Sequence, residues 1–95
     1  MGSYVYIIAN RKNGALYTGV TADISQRIIL HRERVGSKHA RKYEIFRLVY
    51  VEFHKEIDNA ILREKRIKKW RRAWRVDLIE RDNPDWRDLF YDLNC

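Results

Sequence analysis

The sequence predicts a small α+β fold in which a three-stranded, mainly antiparallel sheet is flanked by helices. Two strand-like segments joined by a polar turn open the chain, and a third lies between segments of helical periodicity. Hydrophobic residues make up 45% of the chain and aromatic residues 13%, with only one proline and four glycines. Such a composition supports a packed core and is unlike that of disordered or collagen-like chains. The predicted element order is ββα-β-αα-α, with a small sheet packed against helices.

The start of the chain is predicted to form a β-hairpin. Residues 4–9 (YVYIIA) are rich in β-branched and aromatic side chains, which favour strands. Residues 10–14 (NRKNG) contain Asn-Gly, a pair that accepts positive φ at low cost, and residues 15–21 (ALYTGVT) form the returning strand. Gly19 interrupts that strand, and a glycine there indicates a bulge or a close approach to the backbone.

Capping residues predict a first helix after the hairpin. Asp23 is a typical N-cap, Gln26 stands at the N3 position, and the helix is expected to run to about Val35. A polar, basic loop at residues 36–43 follows. Residues 45–54 (IFRLVYVEFH) then alternate well enough to form the third strand, central or well covered.

The C-terminal half is predicted to be helical. Residues 56–80 have helical periodicity and are expected to form two helices with a kink near residues 70–72. Asn83-Pro84 is expected to start a last short helix, because Asn is a favoured N-cap and Pro a favoured first helical residue. This helix would carry three apolar side chains, those of Trp86, Leu89 and Phe90.

Length and cysteine content limit the class of protein. With 95 residues, the chain is expected to form a single domain over residues 1–95. One cysteine, Cys95, excludes an internal disulfide framework and a Cys-rich zinc site. No apolar run approaches the ~18–20 residues that span a bilayer, and no signal-peptide pattern opens the chain. We therefore expect a soluble, cytoplasmic domain without a membrane partner.

The charge of the chain favours a polyanionic partner. Twenty Lys and Arg against thirteen Asp and Glu give a net charge of +7. Residues 63–75 hold eight basic side chains and one acid, Glu64, whereas basic and acidic residues are closer to balanced in the rest of the chain. Because each neutralised phosphate releases condensed counterions, this basic segment predicts binding of nucleic acid. The simpler alternative is a solvated basic face.

Three charged or ionisable side chains occupy helix positions that otherwise face a core. Arg27 and His31 are one turn apart on the inner side of the first helix, and Glu64 shares a face with Ala60 and Ile67. Burying such groups is costly unless they are paired or hydrogen-bonded. Each has a simple structural explanation. The stem of Arg27 could pack along the surface with its head in water, His31 could be a hydrogen-bonded core histidine, and Glu64 could pair with Lys68 at i+4. Three together, beside a basic segment, favour a site.

Two tyrosines extend this set. Tyr6 and Tyr17 lie on the two strands of the predicted hairpin and could face each other across it, either as a core pair or as part of the site. The chain has no zinc-binding pattern, P-loop, GxGxxG fingerprint or Ser-His-Asp order.

Two tryptophans stand at i,i+4 spacing in the basic segment. Trp70 and Trp74 are expected to be core or hinge anchors, with base-stacking platforms as the alternative. If Trp74 is buried, a Trp74→Ala change should cost about 3–5 kcal/mol.

These residues resemble the GIY-YIG nuclease domain. The resemblance rests on Tyr4-Val5-Tyr6, then Tyr17-Thr18-Gly19, then Arg27 and His31, and it points to the small stand-alone branch similar to an excinuclease N-terminal domain. It extends over essentially the whole chain through Lys42-Tyr43, Arg47-Leu48-Val49-Tyr50, Ala60, Arg63-Glu64-Lys65, Ile67-Lys68-Lys69-Trp70, Leu78-Ile79-Glu80 and Asn83-Pro84-Asp85-Trp86. Tyr4 replaces the glycine of the first motif and Thr18 the isoleucine of the second, whereas both tyrosines with chemical roles are kept.

The resemblance implies a metal-assisted reaction. Glu64 would be the lone protein ligand of a divalent cation, Mg²⁺ or Mn²⁺, which keeps most of its waters and takes phosphate oxygens of the substrate. Such a cation stabilises the leaving 3′-oxygen. Tyr6 would activate or position the attacking water, as a phenolate or through hydrogen bonding. An ordinary tyrosine pKa of ~10 makes the phenolate route demanding at neutral pH.

The resemblance also implies roles for the other site residues. Tyr17 would orient water or the scissile phosphate, and Arg27 would donate to the non-bridging oxygens as charge develops. His31 would assist proton transfer or contact phosphate. Gly19 is kept from the second motif, and Asn83 approximately matches a family asparagine, with a helix N-cap as its alternative role.

The leading hypothesis is therefore a metal-dependent endonuclease that hydrolyses phosphodiester bonds of DNA or structured nucleic acid. The main alternative is a non-catalytic nucleic-acid-binding module of the same fold, and the third is a purely structural small domain. A binding-only module would have no need of an isolated carboxylate, Glu64, inside a basic segment where it repels phosphate. No obligate protein partner is evident.

We predict that the basic segment makes mostly non-specific phosphate contacts. Replacing two of its cations with Ala should lower the affinity for unrelated sequences and flatten the salt slope by about 0.9 per lost contact. Titrations over a range of salt concentrations measure this, and an unchanged slope would remove the segment from the binding face. The cations concerned are Lys65, Arg66, Lys68, Lys69, Arg71, Arg72 and Arg75.

Overall fold

A computed structural model describes residues 2–33 and 46–93 of the chain. Three strands, three α-helices and one 3₁₀ helix make up this part. None of the helices in these two ranges is long and apolar enough to cross a membrane. The elements, in chain order, are β1 Ser3–Ala9, β2 Leu16–Thr21, α1 Ile24–Arg32, β3 Arg47–His54, α2 Ile57–Lys69, α3 Arg72–Asp82 and the 3₁₀ helix Leu89–Asp92.

The sheet has the strand order β2-β1-β3, and both neighbours of β1 are antiparallel to it. This confirms the predicted α+β class and three-stranded antiparallel sheet. Of the two alternatives for the third strand, the structure has the second: β1 is central because it pairs on both sides, and β3 is covered on both faces, with Val49 buried in one core cluster and Leu48 in the other. The pairing of β1 with β3 shifts register between Ile7 and Ile8.

The turn of the hairpin forms as its composition predicts. Asn13, the first residue of the Asn-Gly pair, has a φ of 60°, in the left-handed region that Asn tolerates better than most residues. The Asn10 side-chain oxygen accepts a hydrogen bond from the Ala15 backbone N–H at 2.9 Å, which closes the loop between the strands. The turn is therefore held by its own polar residues.

Each face of the sheet is covered by helices. On one face Val5, Ile7 and Val49 of the strands share a buried cluster with Ile67 of α2 and Ile79 of α3. On the other face the opposite residues of the strands, Tyr6, Ile8 and Leu48, share a cluster with Ile24 and Ile28 of α1. Full burial of one such aliphatic side chain contributes about 1.5–3 kcal/mol, so these clusters dominate the stability of the fold.

Helix α1 starts as predicted and ends earlier. The Asp23 carboxylate accepts a hydrogen bond from the Gln26 backbone N–H at 3.0 Å, which confirms the N-cap. The helix ends at Arg32 with Glu33 as its C-cap, short of the predicted Val35. Residues 34–45 lie outside the described part of the chain, and with them the predicted loop at 36–43 and the first residue of the predicted third strand.

The predicted interruption of the C-terminal helical region is confirmed. Trp70 and Arg71 are extended, with φ/ψ of −68°/149° and −63°/155°, and they separate α2 from α3. The Arg72 guanidinium then donates to the Gly14 carbonyl at 2.6 Å. The junction between the two helices is thereby tied to the hairpin turn.

The prediction that a short helix starts at Asn83-Pro84 was wrong. Asn83 is the C-cap of α3, and its side-chain amide donates to the Val49 carbonyl at 3.1 Å and the Arg87 carbonyl at 2.9 Å. Its side-chain oxygen accepts from the Arg87 N–H at 3.0 Å. The amide is therefore used to join β3 to an irregular segment, and helical structure resumes only after Asp88, in the 3₁₀ helix.

The tryptophans divide between core and surface. Trp86 is 0% exposed and its indole N–H donates to the Glu80 carboxylate at 2.7 Å. Trp74 is 50% exposed, so of the two roles expected for it the core anchor was wrong, and it packs on Trp70 next to the break between α2 and α3. Trp70 is half-buried against the core. The i,i+4 spacing placed the two rings beside each other and did not show which one the core would cover.

Stability should therefore depend on Trp86 far more than on Trp74. Trp86→Ala should lower the free energy of unfolding by about 3–5 kcal/mol, because it leaves a cavity and an unpaired carboxylate. Trp74→Ala should cost under about 1.5 kcal/mol, since half of that ring is already in water. Urea unfolding of both variants measures the difference, and equal losses would contradict it.

Candidate active site

Four residues of the hairpin place two tyrosines on one face of the sheet. Tyr6 is paired with Gly19, and Tyr17 is paired with Ile8, so all four side-chain positions share the face that α1 covers. The two tyrosines are diagonal neighbours with ring centroids 6.4 Å apart. The expectation that they could lie directly opposite each other was therefore wrong, because the register places Gly19 opposite Tyr6.

Gly19 allows the Tyr6 ring to lie against the backbone of β2. A Cβ atom built on Gly19 would lie 2.4 Å from the Tyr6 hydroxyl oxygen and 2.5 Å from Cζ. Any other residue would push the Tyr6 ring away. The sequence predicted either a bulge or a close approach at this glycine, and the structure has the close approach. The register shift in the sheet lies between β1 and β3 instead.

Helix α1 adds His31 to the tyrosines. His31 is 1% exposed, and its Nε2 lies 3.1 Å from the Tyr6 hydroxyl oxygen. Its ring centroid is 6.0 Å from that of Tyr6 and 5.4 Å from that of Tyr17, with edge-to-face geometry in both pairs. Edge-to-face packing is a favourable arrangement for such rings. We call these three residues the aromatic triad.

The environment keeps two members of the aromatic triad uncharged at neutral pH. Burial raises the pKa of Tyr6 well above its usual value, and coupling to Tyr17 raises it further, whereas the Arg27 charge opposes this rise and the Glu64 charge adds to it. Burial and the Arg27 charge lower the pKa of His31 below 6.5. Tyr6 is therefore a phenol and His31 a neutral imidazole, so the hydrogen bond between them joins two neutral groups.

The direction of that hydrogen bond follows from the other ring nitrogen. Nδ1 of His31 is buried and has no hydrogen-bond partner among residues 2–33 and 46–93. A buried N–H without an acceptor is rarer and costlier than a bare acceptor atom. The proton therefore belongs on Nε2, which donates to the Tyr6 hydroxyl oxygen. This leaves the Tyr6 hydroxyl proton available for another acceptor.

Arg27 brings positive charge to the mouth of this site. It lies one helical turn before His31 on α1 and is exposed, while its charge acts on both Tyr6 and His31. This exposure agrees with the prediction that the Arg27 stem packs along the surface and leaves its guanidinium in water. The same position also allows the guanidinium to meet an anion arriving beside the aromatic triad.

Helix α2 contributes a carboxylate and an ammonium group. Glu64 is 9% exposed and its carboxylate accepts from the Lys68 ammonium at 2.8 Å. The same ammonium lies 5.9 Å from the centroid of the Tyr17 ring, and the Glu64 charge acts on Tyr6. The simple i,i+4 ion pair predicted for Glu64 is thus present, and it lies beside the tyrosines rather than on a remote helix face.

A groove of about 500 Å³ adjoins Arg27. It runs between the end of β2, the start of α1 and the start of α2. Periodicity and motifs do not indicate this groove, because its walls come from three elements that only the tertiary fold brings together. The lining residues are Val20, Thr21, Ala22, Asp23, Gln26, Arg27, Leu30, Ile57 and Ile61.

The donor atoms of the site fit a weakly held hard cation. Within the described ranges there is no group of three or more His, Cys, Asp or Glu residues that could hold a metal ion. Glu64 alone offers a carboxylate beside the aromatic triad. Mg²⁺ is commonly held by one or two carboxylates together with waters and substrate phosphates, so a single glutamate is a sufficient protein ligand.

The side chain of Asn83 makes its hydrogen bonds to other parts of the chain. Its amide is fully engaged with the backbone of β3 and with Arg87, as described above. The basic segment is on the surface: all of its predicted contact residues except the half-buried Arg75 are exposed. Its lysines and arginines can therefore reach a polyanion.

Sequence reasoning missed a second polar cluster on β3. The Glu52 carboxylate accepts from Tyr50, His54 and Arg63, the last through Nε at 3.1 Å. Burial opposes ionisation, but these hydrogen bonds and the Arg63 charge hold the pKa of Glu52 below its usual value. The period of two from Tyr50 to His54 was the signal that could have revealed it.

Comparison with known proteins identifies the family. The family model of the GIY-YIG catalytic domain matches residues 2–77. The chain belongs to the GIY-YIG family. This confirms the resemblance found in the sequence and assigns the chain to a superfamily of nucleases, whose members act on nucleic acid.

Short bacterial proteins are similar to this GIY-YIG chain over most of their length. A UPF0213 protein of Staphylococcus saprophyticus is 38% identical over 76 residues, which cover 80% of this chain and 92% of that protein. A UPF0213 protein of Clostridium perfringens is 39% identical over 77 residues, 81% of this chain and 82% of that protein. The solution NMR structure of a UPF0213 protein from Bacillus halodurans has a TM-score of 0.58 and 31% identity, covering 93% of each chain.

The burial of His31 predicts a pH-dependent stability. Because its folded pKa lies below the unfolded value of 6.5, its contribution is fully present above pH 6.5 and is lost as the pH falls through the folded pKa. His31→Gln should therefore show a shallower loss of stability below pH 6.5 than the wild type. Urea midpoints against pH test this, together with NMR titration of His31. A His31 pKa above 6.5 would contradict it.

Proposed function

We propose that the protein is a metal-dependent endonuclease that hydrolyses phosphodiester bonds of DNA. One observation carries the proposal beyond family membership: α1 and α2 bring Arg27, His31 and Glu64 to the two tyrosines of the hairpin. A structural domain has no need of a cation, a carboxylate and a hydrogen-bonded phenol around one point. The charge of +7 supports a nucleic-acid substrate.

Arg27 would bind the scissile phosphate. Its guanidinium is exposed at the edge of the aromatic triad, and it presents several N–H donors to non-bridging oxygens. Negative charge grows on these oxygens as water attacks phosphorus. A guanidinium that donates to these oxygens would stabilise that charge, beside the contribution of the cation.

Tyr6 would position the attacking water as a hydrogen-bond donor. Its raised pKa disfavours the phenolate route, and His31 donates to its oxygen, so its own proton can be directed to a water or phosphate oxygen. Tyr17 is half-buried beside both rings and would complete the contact with the phosphate. His31 acts here by fixing the orientation of Tyr6, and its low pKa keeps it neutral.

Glu64 would hold the divalent cation, Mg²⁺ or Mn²⁺. When bound, such a cation supplies positive charge to the phosphate and to the leaving 3′-oxygen. Lys68 orients the carboxylate in the free protein through their 2.8 Å contact. On substrate binding, the Lys68 ammonium can move to a phosphate oxygen, since its side chain is about half-exposed.

The basic segment would dock the substrate. Its exposed cations follow the second half of α2 and the start of α3, so they continue from Lys68 beside Tyr17 towards the helix junction. Contacts of this type position the backbone and carry no sequence information. The expected substrate preference is therefore for a structure rather than for a sequence.

Glu64→Gln tests the centre of this proposal. It keeps the shape of the side chain and removes the charge that holds the cation, so Mg²⁺-dependent nicking of plasmid should fall by about 10²-fold or more. Binding in EDTA should stay equal or tighten, because a charge that repels phosphate is gone. Nicking and binding assays on the same variant separate the two effects.

Lys68→Gln is the matched control. It breaks the same ion pair and leaves the carboxylate in place, so it should weaken binding while retaining most metal-dependent cleavage. Equal cleavage by Glu64→Gln and wild type would reduce Glu64 to an ion-pair partner. A wild-type protein that cuts no substrate under Mg²⁺ or Mn²⁺ would make the non-catalytic binding module the better description.

A further inference from the structure

A second pocket lies at the junction between α2 and α3. It has a volume of about 230 Å³ and is lined by Trp70, Trp74, Asp77, Leu78 and Arg81. Pockets for drug-sized ligands range from about 300 to 1,000 Å³, so this one suits a smaller, flat group. Trp70 and Trp74 form its aromatic walls.

The two tryptophans are arranged as a fixed platform. Their ring centroids are 6.1 Å apart at an interplanar angle of 78°, so the rings meet edge to face. The Arg71 guanidinium lies 5.1 Å from the Trp74 ring, and that of Arg63 lies 5.2 Å from the Trp70 ring. Trp70 also packs against the main core. These contacts hold both rings in place, while half of Trp74 remains in water.

The polar rim of the pocket distinguishes a base from a phosphate. Asp77 and Arg81 are one turn apart on α3 and line the same pocket. A carboxylate repels phosphate, whereas it accepts hydrogen bonds from the amino and ring N–H groups of bases, including the N3–H of thymine, and a guanidinium donates to their carbonyl and ring nitrogen atoms. The rim therefore offers both an acceptor and a donor to the edge of a flat heterocycle.

The surroundings of the pocket suit the backbone that carries such a base. Lys68, Lys69, Arg71 and Arg72 are exposed on the chain immediately before Trp74. Positively charged grooves combined with aromatic platforms are the general means by which proteins bind single-stranded nucleic acid. The positive charge complements phosphate around a pocket that itself favours a base.

We propose that this pocket binds one unpaired nucleobase of single-stranded nucleic acid, stacked on Trp74. The inference rests on the proposed function and narrows its substrate to nucleic acid with an unpaired stretch next to the cleavage site. A base inside a duplex is stacked on both sides and cannot enter. Lys68, two residues before Trp70, lies against Tyr17, so one strand can contact the pocket and the aromatic triad through the C-terminal end of α2.

Binding in EDTA tests the proposal without any need for catalysis. The probes are a fluorescent oligo(dT) of about twelve nucleotides and a blunt hairpin duplex of equal charge. Trp74→Leu removes the π-face and should weaken oligo(dT) binding about 10-fold, within the range for one lost base stack, while duplex binding changes less than about 2-fold. Trp74→Phe keeps a ring and should retain most of the affinity.

Phe53→Leu is the matched control. Phe53 is another exposed aromatic, 60% accessible, and it packs on Tyr4 of β1. Its loss should leave oligo(dT) binding unchanged. Tryptophan emission gives a second readout: Trp86 is fully buried, so quenching by oligo(dT) reports on Trp70 and Trp74 and should decrease in Trp74→Leu.

The outcomes separate the two proposals. Wild-type oligo(dT) affinity in a folded Trp74→Leu variant overturns the pocket, as does an equal loss of duplex and oligo(dT) binding. A wild-type dimer that Trp74→Leu converts to a monomer also overturns it, because a second copy then covers the tryptophans. A selective loss of oligo(dT) binding, in a protein that never cleaves, supports the pocket and rejects the endonuclease.

Discussion

The contact between Tyr6 and Gly19 is the constraint on which the candidate site depends. A phenol ring lies directly against the backbone of the neighbouring strand, at a distance that only the absence of a Cβ permits. From this position its hydroxyl reaches His31 of α1. The strand pairing, the docking of α1 and the burial of the phenol are therefore parts of one arrangement, and a change in any of them moves the others.

Burial gives this arrangement its chemical character. In water a phenol and an imidazole differ in pKa by several units, and the fold widens the gap by raising one and lowering the other. Both groups stay neutral over the physiological range, so the charges at the site come from Arg27, Glu64 and Lys68. The neutral groups fix geometry, and the charged groups respond to an anionic substrate.

Local signals in the sequence were sufficient for much of the fold. The hairpin, the Asp23 cap and the break near Trp70 are each encoded within a few residues, and all three are present. The predictions failed at residues whose structure depends on a partner that is distant in sequence. Asn83 has the local signature of an N-cap, yet its amide bonds to Val49, which is far away in sequence. Trp74 has helical spacing typical of a core residue, yet Trp86 occupies the core instead.

The same limit applies to the candidate site. Arg27, His31 and Glu64 stood out because charged or ionisable groups occupied positions with apolar periodicity, and Tyr6 and Tyr17 because they lie on the two strands of the hairpin. The fold brings these residues near one another. The diagonal placement of the tyrosines depends on the pairing register of β1 and β2, and the periodicity of the sequence does not determine that register. The proximity of Lys68 to Tyr17 and the groove beside Arg27 depend on how α2 crosses the sheet, and a single sequence has no signal for that crossing.

The cluster around Glu52 has a consequence for the outer edge of the sheet. Among the described residues β3 is an edge strand, and the edge of a sheet can recruit strands from other molecules. Side chains already bond part of its backbone, since the Leu48 N–H donates to the Asp88 carboxylate and the Val49 carbonyl accepts from the Asn83 amide. Here the register shift at Ile7 and Ile8 bends the pairing, and a carboxylate held by Arg63 and His54 places charge along the same strand. Bulges and charged side chains are the devices by which natural sheets resist such recruitment. These features of β3 therefore oppose the addition of a strand from another molecule.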